Sequence, residues 1–158
     1  MQWRWAAAAA LALLLAGCQL GPRRLSAPAD LPSGEWAIVA IRFGNANVRD
    51  PNEAIARYGQ VIRYEADRAV SGSETCDAPT YLASAIVADR YLRAEYGMRA
   101  ADFGLHGWQD VRVTEVYCNG RRWRPLGGEA FWVDRDRGYA VRDDVLYELR
   151  RTKAPDAQ

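Results

Sequence analysis

The sequence predicts a mainly β domain of eight or nine short antiparallel strands with two short helices, folded as a small barrel or a sandwich. Three observations carry this expectation. Short apolar and β-branched runs recur at close spacing, separated by Gly, Pro, Asn and Asp. Asn119-Gly120 joins two of these runs with the strongest short hairpin signal. Helix-start signals occur at only two places, near Pro51 and near Asp89. No internal repeat is visible.

The first 17 residues are expected to lie outside this domain. One positive side chain, Arg4, precedes an apolar run from Ala6 to Ala16. A helix that spans a bilayer needs about 20 apolar residues. The shorter run has the proportions of a signal peptide's apolar segment. Its ending, Leu15-Ala16-Gly17-Cys18, resembles the lipobox of bacterial lipoproteins. The resemblance implies lipid attachment at Cys18 and anchoring in the cell envelope. Gln19 follows, where an aspartate would resemble an inner-membrane retention signal, so the expected destination is the outer membrane. Two or more acyl chains hold a protein stably, at about 0.8 kcal/mol per buried CH₂. Residues 18–33 contain Pro22, Pro28 and Pro32 and read as a lipidated tether. The domain is expected over 34–152, followed by an unstructured tail over 153–158.

Within the domain, Glu35 to Phe43 alternates as a strand. Trp36, Ile38 and Ala40 share one face, and Ala37, Val39, Ile41 and Phe43 the other. Both faces are apolar, which predicts cover on both sides. Asp50-Pro51-Asn52-Glu53 supplies an N-cap, a first-turn proline and a capping-box acid. Ile55 and Tyr58 are expected to face the core, with Gly59 as the stop. Gln60 to Ala66 reads as a strand, with a return at Ala69 to Ser71 and a loop over Gly72 to Thr75. A strand from Tyr81 to Ala88 leads to a helix from Asp89 to Tyr96, capped by Asp89 and stopped by Gly97. Gly97 to Gly107 carries no clear pattern. Val111 to Cys118 and Arg121 to Arg124 form the hairpin, which Pro125 ends. Strands are then expected at Ala130 to Val133, Tyr139 to Arg142 and Val145 to Arg151.

Charge and cysteine usage bound the chemistry. From Cys18 onward 20 acidic residues face 20 basic ones, and Lys153 is the only lysine. No basic excess marks a nucleic-acid partner. With Cys18 assigned to lipid, Cys76 and Cys118 remain as an even pair in an oxidising compartment, where a disulfide is expected. Free thiols and metal ligation are the alternatives. Metal has little support, because His106 is the only histidine and no CxxC or CxxH is present. Asp134-Arg135-Asp136-Arg137-Gly138 lacks the rest of a calcium loop. Neither a metal nor a cofactor is expected.

Gly34-Glu35-Trp36 at the start of the first strand is similar to the Gly-x-Trp opening of lipocalins and other calycins. In calycins a basic residue of the last strand packs over that tryptophan and closes one end of the barrel. The resemblance places Trp36 with Arg150 or Arg151 in those roles and implies a calycin-like barrel. The helical signals come earlier here than in lipocalins. The span from Gly59 through Cys76-Asp77-Ala78-Pro79-Thr80-Tyr81 to Arg150 also resembles small proteobacterial lipoproteins with a C-x-x-P-x-Y motif, which implies no activity.

No catalytic constellation stands out. His106 sits alone in a glycine-containing loop, and no G-x-S-x-G is present. Arg121-Arg122-Trp123-Arg124 forms a candidate surface contact for anionic lipid or an acidic protein, or a solvated rim with Trp123 turned inward. Four tryptophans of the domain and eight tyrosines could line a pocket or fill a core. The expected role is binding, of a small apolar or amphipathic molecule. A protein-interaction or hydrolase-inhibitor module of the envelope is the second reading, and an enzyme the third.

Overall fold

The predicted strand runs pair into one antiparallel sheet. The computed structural model describes residues 33–43, 50–143 and 145–153. The segments expected to be a signal peptide and a tether, with Cys18, and the tail after Lys153 lie outside them. The strands are β1 (Gly34–Phe43), β2 (Val61–Tyr64), β3 (Arg68–Ser71), β4 (Glu74–Asp77), β5 (Thr80–Val87), β6 (Asp110–Cys118), β7 (Arg121–Arg122), β8 (Glu129–Trp132), β9 (Arg137–Arg142) and β10 (Val145–Lys153). The helices are α1 (Pro51–Ile55) and α2 (Ala88–Tyr96), with a 3-10 turn at Ala100–Phe103. Strand order is β4-β3-β2-β1-β10-β9-β8-β6-β5, and β7 adds to β6. The mainly β expectation holds, with ten strands among the described residues in place of eight or nine.

The sheet is curled into a half-barrel, and three contacts measure the curl. Strands lie about 4.8 Å apart, so β2 and β5, six steps apart in strand order, would be separated by about 29 Å if the sheet were flat. Instead the rings of Tyr64 on β2 and Tyr81 on β5 are 6.3 Å apart. Trp36 on β1 meets Trp132 on β8 at 4.6 Å, across the two strands between them. Cys76 on β4 and Cys118 on β6 are joined by a disulfide, with Cα atoms 5.7 Å apart. The Tyr81 hydroxyl donates to the carbonyls of Glu65 (2.7 Å) and Arg68 (3.3 Å), so β5 is tied to the β2–β3 turn by a side chain. No backbone ladder joins β4 to β5 among the described residues.

Alternation along the strands builds two cores. The concave face buries Trp36, Ile38, Ile62, Tyr64, Trp132 and Leu149 among others. The convex face of β6, β8, β9 and β10 buries Val111, Val113, Phe131, Tyr139 and Leu146 beneath α2, the 3-10 turn and the residues just after it, which contribute Leu92, Phe103 and Leu105. The pattern-poor stretch from Gly97 to Gly107 is therefore a lid on this second core. Phe103 packs edge-on to Phe131 and Tyr139 at 5.5 and 4.9 Å. Gly138 runs under Trp132, where a Cβ would lie 2.4 Å from the indole ring, so only glycine fits.

Several expectations are corrected. β1 is buried on one face only, because Val39 is an extra residue between the Ile38–Leu149 and Ala40–Glu148 pairs. This bulge keeps both Ile38 and Ile41 on the concave core and leaves Val39 and Phe43 exposed. On α1 it is Ala54 that is buried, while Ile55 and Tyr58 are 55% and 65% exposed. A helix this short lies flat on the core and only a small residue fits beneath it. Asp50 does cap α1, accepting from the Asn52 and Glu53 amides at 2.9 and 3.1 Å, and Gly59 has φ +79°. Asp89 does not cap α2; its carboxylate pairs with Arg93 and accepts from the Ala100 amide, tying the helix to the 3-10 turn. Glu74 and Thr75, expected in a loop, begin β4 after a tight Gly72-Ser73 turn. The return after Asn119-Gly120 is only two residues long. The last strand reaches Lys153.

The disulfide closes a loop with a sequence separation of 42 residues across the open side of the sheet. Chain-entropy arguments value such a closure at about 4 kcal/mol. The Cys76→Ala, Cys118→Ala double variant is expected to lose stability on that order in urea unfolding, and mass analysis without reductant to find no free thiol on either residue. A labelled thiol on both in the exported protein would overturn the pairing.

Candidate functional site

The residues singled out in the sequence do not converge on one site; they fall at three separate places. At the first, the Arg151 guanidinium lies 4.3 Å from the centre of the Trp36 ring. Arg151 also donates to the carbonyls of Ser33 and Arg135 and pairs with Asp136 at 3.2 Å. Arg150, on the opposite face of β10, pairs with Glu148 at 3.1 Å. Trp36 and Arg151 are cross-strand partners in the β1–β10 ladder, which is why Arg151 and not its neighbour reaches the ring. The contact sits where the chain enters the domain.

The second place is the β6–β7 hairpin. Asn119 and Gly120 have φ values of +52° and +73°, as a tight turn of this kind requires. Trp123 turns inward and is buried, while Arg121, Arg122 and Arg124 are exposed. Arg122 is engaged by Glu115 at 2.8 Å and by Glu129. Arg121 and Arg124 make no ion pair among the described residues and form the positive rim of this corner.

Arg122 belongs to a network that the sequence did not reveal. The Tyr91 hydroxyl donates to Glu129 Oε1 at 2.8 Å, Tyr96 reaches the same oxygen at 2.9 Å, and the two hydroxyls are 2.8 Å apart. Glu129 Oε2 accepts from Arg122. Both oxygens of Glu129 are thus held by the protein's own donors, and the network fastens α2 to β8 and β7. Its members are scattered over three elements, so only tertiary structure brings them together. Burial pushes both phenols up, and the nearby Glu129 carboxylate adds to this. Tyr64, fully enclosed and donating to the Gly127 carbonyl at 2.8 Å, is also pushed up by burial.

The third place is the loop between the 3-10 turn and β6. His106 and Trp108 stack with ring centroids 5.5 Å apart and planes 7° from parallel. Trp108 is 79% exposed, the most exposed large apolar side chain described. Among the described residues the His106 side chain makes no hydrogen bond or ion pair.

Among the described residues no group of three or more His, Cys, Asp or Glu side chains could hold a metal, and no helix is long and apolar enough to cross a membrane.

The enclosed tyrosines make stability depend on pH. A phenol's ordinary pKa is about 10. In the folded state Tyr64, Tyr91 and Tyr96 hold their protons above that value; the unfolded chain releases them. Their contribution is therefore complete below pH 10 and is lost as the pH rises beyond it. Ultraviolet titration of the folded protein is expected to leave these phenols neutral at pH 11, and the unfolding midpoint to fall steadily above pH 10. Ionisation of all eight tyrosines near pH 10 with an unchanged midpoint would contradict the burial described. Compared with protein-family models, with characterised proteins and with solved structures, the chain matches none.

Proposed function

We propose that this protein is a lipid-anchored lipoprotein of the cell envelope, held at the outer membrane through Cys18, that acts by binding another envelope protein. The observation that supports a protein partner over a small apolar ligand is the filled concave face. A carrier needs room inside its curl. Here Trp36, Tyr64, Ile62 and Leu149 are fully buried there, and Trp36, Trp132 and Tyr64 touch one another at 4.6 and 6.0 Å. Trp36, Tyr64 and Trp132, which could have lined a pocket, serve as core. Binding then falls to the outside, and the exposed Arg121 and Arg124 offer positive charge to an acidic surface of the partner.

The anchor and the binding role are tested separately. Cells expressing the full chain are expected to incorporate labelled palmitate into it, and Cys18→Ser to abolish the label; a labelled Cys18→Ser protein overturns the anchor. Native mass spectrometry of the full chain in detergent is expected to show the acylated mass with no further small-molecule adduct. A reproducible adduct would instead establish the small-ligand reading. Cross-linking in the envelope is expected to trap a protein partner, and Arg121→Glu with Arg124→Glu to weaken that trapping several-fold. A trapped partner indifferent to both substitutions would place the contact elsewhere.

A further inference from the structure

The two edges of the sheet are built differently. β4, at one edge, has four residues, carries exposed Glu74 and Asp77, and is stapled through Cys76. This is how natural sheets keep an edge from recruiting another chain: short, charged and covered. β5, at the other edge, has eight residues, Thr80-Tyr81-Leu82-Ala83-Ser84-Ala85-Ile86-Val87, and none is charged. It pairs with β6 on one side and with no described strand on the other. Its even-numbered residues lie on the convex face, where Ser84 and Ile86 sit beside Val113 and Val111. Its odd-numbered residues lie on the concave face, where Tyr81 packs on the core. Leu82, on one face, is 47% exposed and Val87, on the other, 41%. β5 is therefore open along its edge and partly open on both faces.

We propose that β5 is the seam at which a second copy of this chain binds, the two β5 strands pairing antiparallel about a two-fold axis at Ser84. An axis normal to the sheet brings together residues of the same face, whose numbers sum to an even total. With Ser84 at the centre, Ala83 meets Ala85, Leu82 meets Ile86 and Tyr81 meets Val87 of the other copy. Every cross-strand pair is then apolar or small, and no charge meets its like. The central Ala83, Ser84 and Ala85 let two curled sheets approach closely. The partner is a second copy because the strand complements itself and because, among the described residues, β5 is the one long, uncharged edge fit to pair. A two-fold seam uses that edge on both molecules and closes at two, where a head-to-tail contact through β4 would run on into a fibre. The proposal is independent of what else the domain binds.

The test uses the full chain in its membrane. Ser84→Cys places two thiols at the proposed axis and is expected to give a disulfide-linked dimer on a gel run without reductant. Glu95→Cys, exposed on α2 away from the edge, is expected to give none. In detergent, sedimentation is expected to show a monomer–dimer equilibrium. Ser84→Lys and Ser84→Glu are each expected to raise its dissociation constant about tenfold or more by setting like charges at the axis, and an equimolar mixture of the two to restore the dimer. Three results would overturn the proposal: a monomer at every concentration, a dimer indifferent to both charges, or a Ser84→Cys cross-link that forms only to other proteins.

Discussion

The curl depends on a line of side chains that crosses the concave face. Arg151 covers Trp36, Trp36 meets Trp132, Trp132 meets Tyr64, and Tyr64 meets Tyr81. Successive members come from β10, β1, β8, β2 and β5, so strands far apart in strand order are drawn together. Aromatic pairs of this kind contribute about 0.5–1.5 kcal/mol each beyond the area they bury. The polar ends are satisfied as the rings are enclosed: Trp132 Nε1 donates to Thr114 at 2.9 Å, and the Tyr64 and Tyr81 hydroxyls donate to backbone carbonyls. Without these donations the rings could not be buried at low cost. Closure here is the work of side chains and one disulfide, where a complete barrel would use a hydrogen-bonded ladder.

The same line accounts for the position of the glycines and small residues around it. Gly138 lets β9 pass under Trp132, and a Cβ on Gly127 would lie 2.7 Å from the Tyr64 hydroxyl. Ala69, Ala130 and Ala140 fill the spaces that the large rings leave. Large and small residues alternate across the interior, as close packing of a strongly curved sheet requires. Little of the concave face is left for a guest.

The parts of this arrangement that were legible in the sequence are those fixed by local chemistry. Asn119-Gly120 makes a tight turn because both residues tolerate positive φ, and Asp50-Pro51 starts a helix because the aspartate can cap it. The period-two runs at β1, β6 and β10 are strands for similarly local reasons. What was not legible depends on partners distant in sequence. The bulge at Val39 cannot be inferred from an alternating run, because the extra residue exists only relative to Leu149 and Glu148 on β10. β4 was hidden by turn-forming residues, Gly72 to Thr75, half of which are in fact strand. Asp89 has the residue type of a cap but spends its oxygens on Arg93 and Ala100. Of the candidate site residues, the cysteine pair follows from counting, whereas the choice of Arg151 over Arg150 follows from register. The Tyr91–Tyr96–Glu129–Arg122 network left no signal, since nothing local links its members.

The two cores divide the sheet into a rigid centre and open margins. β8, β9 and β10 carry buried residues on both faces: Ala130 and Phe131, Tyr139 and Ala140, Leu146 and Tyr147. Strands covered on both sides present no surface to a partner. Cover thins outward in both directions, to β1 with its exposed Val39 and Phe43 and to β5 with its exposed Leu82 and Val87. The hairpin rim at Arg121 and Arg124 and the loop bearing Trp108 project from the same margins. The exposed apolar side chains therefore lie on β1, on β5 and in the helix and loop segments, because the interior and the strands β8 to β10 are used in holding the curl.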